Sequence, residues 1–424
     1  MVDVRRFFLI LTMSLLLATP ARGQQEAVNA ELRADSGNTP NTILQTDTDF
    51  FWHQLDFQNR QTNKELALLY NHDAWLDQGD EGLVVLIGGQ ARLSALAAGT
   101  NTEGKFPYLG RFPTDFTGDT ATDARMLQAN LAVAAHASSW VNVYGEMLFS
   151  DVFSFPDHKQ GSLQMRQAYA VLGDLEASPW HAVIGKKNLP FGDMGTLSPF
   201  TQSVVWHYFG ALGEGMGVGY ADEMVEASLM GVNGGRGIRA VDSEEKGKLN
   251  NLAANALFKF ALSEEILMRF GGGFLLGTIY DGAFPEHLNP NLFGEYNSAW
   301  DVNAVVRWGR VTIAGEYATT VDDWPATGHA VTAYRAEAGY DVNVGPYPGR
   351  LSVSWSEGIQ GDRGSEFEFN RQLVLGLGTT LNRYAMLSLE YIRSSGFAPL
   401  IDITTVSDRD VVQHTALAGL TLVF

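Results

Sequence analysis

Trp300-Asp301-Val302-Asn303-Ala304-Val305-Val306-Arg307-Trp308-Gly309-Arg310 decides how the chain is read. Trp300, Val302, Ala304, Val306 and Trp308 fall on one side of a two-residue repeat, and Asp301, Asn303 and Arg307 on the other. A period of two is a strand with one apolar and one wet face. Gly309-Arg310 then breaks the pattern, and alternation resumes at once. A short turn between two such strands is a hairpin.

The same period runs from residue 82 to the end. Strands are expected at 83–99, 123–138, 140–150, 162–174, 180–189, 215–222, 224–233, 249–262, 264–279, 298–309, 310–321, 330–342, 349–358, 369–382, 385–396 and 410–424. Their connections alternate between long and short. Ser139, Ser263, Gly309-Arg310 and Asn382-Arg383 are short ones; 100–122, 190–214, 234–248 and 280–297 are long ones. A soluble sandwich has no reason to gather its long loops at one end. An outer-membrane barrel has short periplasmic turns, long external loops and an even strand number. The expected fold is therefore all-β, a transmembrane antiparallel β-barrel of about 16 strands. A barrel of that size leaves room for an aqueous channel. Trp140, Trp180, Trp308 and the terminal Phe424 fall at the periplasmic strand ends, where an aromatic girdle belongs. Gly419-Leu420-Thr421-Leu422-Val423-Phe424 is similar to the terminal strand read by the barrel assembly machinery. Gly271-Gly272-Gly273 reads as a bend or close packing within a strand, because no helix follows to complete a phosphate cradle.

Upstream, Met1–Gly23 has the form of a secretory signal peptide. Arg5 and Arg6 precede the apolar run Phe7–Ala18, and Ala21-Arg22-Gly23 supplies small residues for cleavage. Residues 24–81 are expected to form a periplasmic segment, partly helical, or a plug near the barrel mouth, with Phe50, Phe51, Trp52, Leu66, Leu68 and Leu69 as its apolar residues. The barrel is assigned to 82–424. The chain has 424 residues, no cysteine and a formal net charge of −19. The charge excludes an electrostatic nucleic-acid binder. The lack of cysteine excludes disulfide staples and Cys-ligated metal. No catalytic motif, metal site or cofactor site is expected, since no nucleophile elbow, zinc helix or P-loop occurs. His207 and His414 read as loop and rim residues.

Gly185-Lys186-Lys187-Asn188-Leu189-Pro190-Phe191-Gly192, preceded by Arg166-Gln167-Ala168-Tyr169-Ala170-Val171-Leu172-Gly173, resembles the GKxxxPFG region of the phosphate-selective porin superfamily. With its aromatic N-terminal segment, the chain looks most like the LbtU-type siderophore porins within it. That resemblance implies an outer-membrane barrel of a Gram-negative bacterium engaged in uptake of an iron-chelating siderophore. It implies as partners a small solute, outer-membrane lipid and lipopolysaccharide, with a homotrimer as one allowed assembly.

Strand parity places Arg92, Arg166, Lys187, Lys259, Arg269, Arg307 and Arg335 on the lumenal side, against Glu146, Glu316, Glu337 and Glu390. These are the expected pore-lining residues. Basic side chains outnumber acidic ones there, so an anion-preferring pore is one expectation. A general diffusion porin and a surface adhesin or receptor acting through its loops are alternatives. Residues 190–214 form an unusually apolar external connection, with Phe191, Phe200, Trp206, Tyr208 and Phe209. Exposed, such a loop would be a sticky patch. It is expected to fold into the barrel as the constriction.

Overall fold

The computed structural model describes residues 43–59, 63–70, 83–107, 118–150, 154–155, 158–159, 163–233, 248–281, 296–365, 367–396 and 409–424. The signal-peptide reading and much of the external-loop sequence lie outside the described residues.

A short strand, β1 (Ile43–Gln45), precedes helices α1 (Thr48–Leu55) and α2 (Leu66–Tyr70). Then follow β2 (Val84–Thr100), β3 (Thr120–Ser138), β4 (Val141–Ser150), the small hairpin β5 (Ser154–Phe155) and β6 (His158–Lys159), β7 (Gln164–Leu172) and β8 (Trp180–Asn188). Helix α3 (Val204–Phe209) comes next, then β9 (Leu212–Ala221), β10 (Val225–Asn233), β11 (Leu249–Ala261), β12 (Ile266–Leu275), β13 (Ala299–Trp308), β14 (Val311–Trp324) and β15 (His329–Val344). The chain ends with β16 (Tyr347–Ile359), β17 (Asn370–Asn382), β18 (Ala385–Gly396) and β19 (Val412–Val423).

The long strands β2–β4 and β7–β19 each pair antiparallel with the next, and β19 pairs back onto β2, with Leu417 opposite Leu96. The result is a closed barrel of 16 strands. Closure leaves no edge, which a sheet in hydrocarbon requires. At the seam, Gly89 and Phe424 exchange backbone hydrogen bonds of 3.1 Å in both directions. Where β19 stops, β1 takes over the exposed start of β2 in parallel, Ile43 opposite Val84.

The period-two pattern sets the two faces. Leu131, Val133, Ile184, Val218, Phe270, Val302, Ile313, Leu375 and Leu389 point outward and stay exposed. Their neighbours Asn130, Asp301, Thr312, Ser354, Ser388 and Glu390 point inward and are buried. This inside-out arrangement is that of a barrel solvated by lipid. Trp140, Trp180, Trp308 and Phe424 are exposed at the periplasmic rim. Gly309, at φ 55°, supplies the left-handed residue that the two-residue turn after β13 needs.

Beyond β1, the described part of 24–81 lies inside the barrel, at its periplasmic end. Asp47 caps α1, its side chain accepting from the Phe50 N–H at 3.0 Å. Phe50, Phe51, Leu55, Leu66, Leu68 and Leu69 pack against inward-facing Val84, Leu86, Ala132, Ala134, Tyr144, Tyr169, Val171 and Val183. The free carbonyls at the end of α1 are met by a side chain: Lys64 Nζ donates to the carbonyls of His53, Gln54 and Asp56 at 2.7, 3.0 and 3.0 Å. Trp52 Nε1 donates to the Arg383 carbonyl at 2.6 Å, which fixes the helix at the level of the β17–β18 turn. We call residues 47–70 the plug.

Phe51 occupies the space over Gly88, where a Cβ would meet its ring at 2.1 Å. Gly88→Val should unseat α1 while the sheet still closes. The expected result is a barrel that keeps its SDS-resistant migration while the plug becomes cleavable by an added protease. A plug as resistant as in the wild type would contradict this packing.

Candidate functional site: the constriction and its vestibule

The connection 189–211 after β8 runs through the lumen, and all but a few of its residues are buried. Pro190 turns the chain, and Gly192 (φ 72°) and Met194 (φ 52°) take left-handed conformations that reverse it. Most of this backbone forms neither helix nor strand. Its N–H groups, removed from water, need other acceptors. The wall provides them. Asp301 Oδ1 accepts from Gly192 N at 2.9 Å. Glu316 accepts from Asp193 N at 2.7 Å and from Met194 N at 3.1 Å. Glu337 accepts from Thr196 Oγ1 at 2.6 Å and Leu197 N at 3.0 Å. Glu390 accepts from Phe200 N and Thr201 N at 2.8 and 3.0 Å, and from Thr201 Oγ1 at 2.5 Å.

Buried carboxylates require counter-charge. Arg335, 3% exposed, donates to Glu316 at 2.9 Å, Glu337 at 2.6 Å and Asp193 at 2.6 Å. Arg269 makes a second ion pair with Asp193. Burial alone would raise the Asp193 carboxyl. The Arg269 and Arg335 guanidiniums beside it outweigh burial and hold it below the usual carboxylate range.

The lumenal residues expected from parity all face inward, but at different depths. Arg92, Glu146, Arg166, Lys187, Glu316, Arg335, Glu337 and Glu390 are buried under the loop or the plug rather than bathed by channel water. Arg92 lies between the rings of Phe57 and Phe200, 4.4 and 4.2 Å from their centroids, and donates to the Phe200 carbonyl at 2.8 Å. Glu146 accepts from Asn130 at 2.5 Å and Gln167 at 2.9 Å, with Arg166 at 3.6 Å. Lys187 pairs with Glu65 of the plug. Lys259, Arg269 and Arg307 keep access to water. Of the loop aromatics, Phe191, Tyr208 and Phe209 join one apolar cluster with Met230, Tyr280 and Trp324, while Phe200 joins another with Leu96 and Ile392. Trp206 is half-buried, its ring 5.5 Å from Phe57.

Parity says nothing of Asp193, Gln58 or Glu65, which lie outside the wall strands, while Asp301 is on the wet face of its strand but not among the expected pore-lining residues. A signal for the loop's path did exist in wall glycines. A Cβ on Gly358, Gly376 or Gly419 would meet Tyr208, Pro199 or Phe200 at 2.3, 2.5 or 2.3 Å. Gly273 likewise leaves room for Gly192 N, 3.2 Å from its would-be Cβ, so the triple glycine serves close packing.

Among the described residues, the lumenal wall left open to water is the periplasmic half of β10–β13. This vestibule carries Asn255, Lys259, Arg269, Asn303 and Arg307, with Glu226 paired to Lys259 at 2.8 Å. Its inner end is narrow. Between Asn63 and Asp193 on one side and Glu226, Asn255, Arg269 and Asn303 on the other, the space measures about 20 Å³. That holds about one water molecule. No group of three or more metal-ligating side chains occurs among the described residues.

No family model and no curated protein sequence matches the chain. Solved structures do. The outer-membrane protein OmpT of Vibrio cholerae aligns with a TM-score of 0.54 at 13% identity, over 82% of this chain and 98% of that one. The fold is that of an outer-membrane porin. The channel DcaP of Acinetobacter baumannii aligns at 0.52 and 12%, over 82% and 99%. The anion-selective porin of Comamonas acidovorans aligns at 0.51 and 10%, over 81% and 100%. A porin barrel, crossing by strands, accounts for the absence of any long apolar helix among the described residues.

Arg335→Met should leave three carboxylates short of their shared cation and cost about 3–5 kcal/mol. Adding Glu337→Gln to it should recover part of the loss; thermal unfolding in detergent measures both. Because Asp193 is held low, its contribution is present at every pH above its ordinary 3.8 and is lost as pH falls through its lower native value. The Asp193 ion pairs with Arg269 and Arg335 should therefore persist as pH falls to about 4 and break only below it, read as the loss on acidification of the stability difference between the wild type and Asp193→Asn.

Proposed function

We infer that the protein is an outer-membrane channel for small polar solutes, narrowed by its own loop and plug. The carrying observation is a loop folded into a polar lumen and pinned there by wall carboxylates, with a solvent-exposed vestibule behind it. Such a loop narrows a pore and supplies the closest contacts to whatever passes. The open vestibule presents Lys259, Arg269 and Arg307 against Glu226 and Asp193. That balance favours anions, the preference named for one of its structural neighbours.

The likeness of residues 185–192 to the phosphate-selective porin superfamily, and of the aromatic N-terminal segment to the siderophore porins within it, supports an anionic iron chelate as solute. Such a molecule is far larger than the cavity of about 20 Å³ between the plug, the loop and β10–β13. A path through that cavity would require the plug or the loop to move.

The test is the reversal potential of the reconstituted protein in a salt gradient. Mild anion preference is expected. Lys259→Glu with Arg307→Glu, both outside the loop anchor, should shift it toward cations. A cation-selective wild type would overturn the assignment.

A further inference from the structure

This inference rests on the channel reading and names the solute chemistry of the same lumen. Besides its apolar packing and its hydrogen bonds to the wall, the plug makes one buried ion pair with it among the described residues, between Glu65 and Lys187 of β8, with side chains 2% and 4% exposed. The seat is incompletely satisfied. Among the described residues, Glu65 Oε2 and both ring nitrogens of His181 meet no hydrogen-bond partner. His181 lies within the field of both charges. Arg166 and the tilted pair Tyr144–Tyr169, with ring centroids 5.3 Å apart, line the same wall. With the plug withdrawn, this wall would present Lys187, Arg166 and the donors of His181 and the two tyrosines, against Glu146.

We propose that this wall is an anion-binding subsite for the transported solute, and that Glu65 occupies it as an internal stand-in for a solute carboxylate. A multivalent anion offers more acceptor oxygens than the single engaged oxygen of Glu65. It therefore satisfies Lys187 and His181 better and competes the plug out of its seat. Only differential affinity can shift such an equilibrium, and here the open form alone has the subsite free. The plug and the loop touch through the Asn59–Gly195 bridge, so withdrawal also frees one side of the constriction. An uncharged solute of similar size has no such lever.

The experiment records the full chain in planar bilayers, with citrate as the anionic probe and sucrose as the uncharged control. Citrate should raise the wild-type open fraction saturably, and sucrose should not. Glu65→Gln should raise the open fraction without citrate about tenfold and lower the citrate concentration needed. Lys187→Gln should lose the citrate response. Because that variant risks misassembly, a second arm uses the cysteine-free background. Asn59→Cys with Gly195→Cys, cross-linked by oxidation, should hold the channel shut to citrate until a reductant is added. An equal response to sucrose, or a citrate response that survives the cross-link, would overturn the proposal while leaving the channel reading intact. Absence of any conductance in both the wild type and Glu65→Gln would overturn the channel reading itself, and this inference with it.

Discussion

Backbone N–H and C=O groups taken out of water must find partners, and this need organises the protein at three levels. In the wall it is met by strand pairing, which closes because a membrane tolerates no sheet edge. In the constriction loop, which lacks regular pairing, it is met by the side chains of Asp301, Glu316, Glu337 and Glu390. At the end of α1 it is met by a single lysine, whose three donors reach three carbonyls. The lumen is thus filled by backbone that borrows its partners from side chains.

Borrowing acceptors brings charge into the interior, and charge needs neutralising. Arg335 answers three carboxylates at once, and Arg269 shares one of them. Such a cluster stabilises less than its contact distances suggest, because desolvation offsets much of the Coulomb attraction. Its value lies in specificity. A loop whose N–H groups face carboxylates on β13, β14, β15 and β18 has one register that satisfies them all. A shift by one residue would strand both donors and acids.

The barrel was legible because its signal is local. Alternation such as Trp300 to Trp308 names a strand without knowledge of its neighbour, and the long–short rhythm of connections names the two membrane sides. The observed strands differ from the expected ones mainly by a few residues at their ends, the largest shift being at the end of β12, followed by the starts of β3 and β9 and the end of β14. The inward path of 190–214 was legible too, from the improbability of exposing so many aromatics. Depth was not. Parity says that Arg92, Lys187 and Arg335 face inward, but it cannot say that Phe200, Glu65 and Asp193 will cover them. Those partners lie far along the chain: Glu65 is 122 residues from Lys187 and Asp193 is 142 from Arg335. A count of seven lumenal cations against four acids therefore overstated the charge that a solute would meet.

The plug and the loop are not two independent obstructions. Gln58 of the plug donates to the carbonyls of Ser198 and Thr201 in the loop, and accepts from Arg92 of the wall. Thr196 N donates to the Gln58 carbonyl at 2.9 Å, and Gln202 reaches the Phe57 carbonyl. Arg92 in turn holds the Phe200 carbonyl while Glu390 holds the Phe200 N–H. Moving the plug therefore strips partners from the middle of the loop, residues 196–202. The 193–194 end keeps its anchors at Glu316 and Arg335, which the plug does not touch. The centre keeps its wall anchors at Glu337 and Glu390, so plug movement would free the loop only on its plug-facing side. The plug packs in part against Tyr144, Tyr169 and Lys187 of β4, β7 and β8, separated by β9 from the cationic vestibule of β10–β13, so the plug and the vestibule share one side of the lumen.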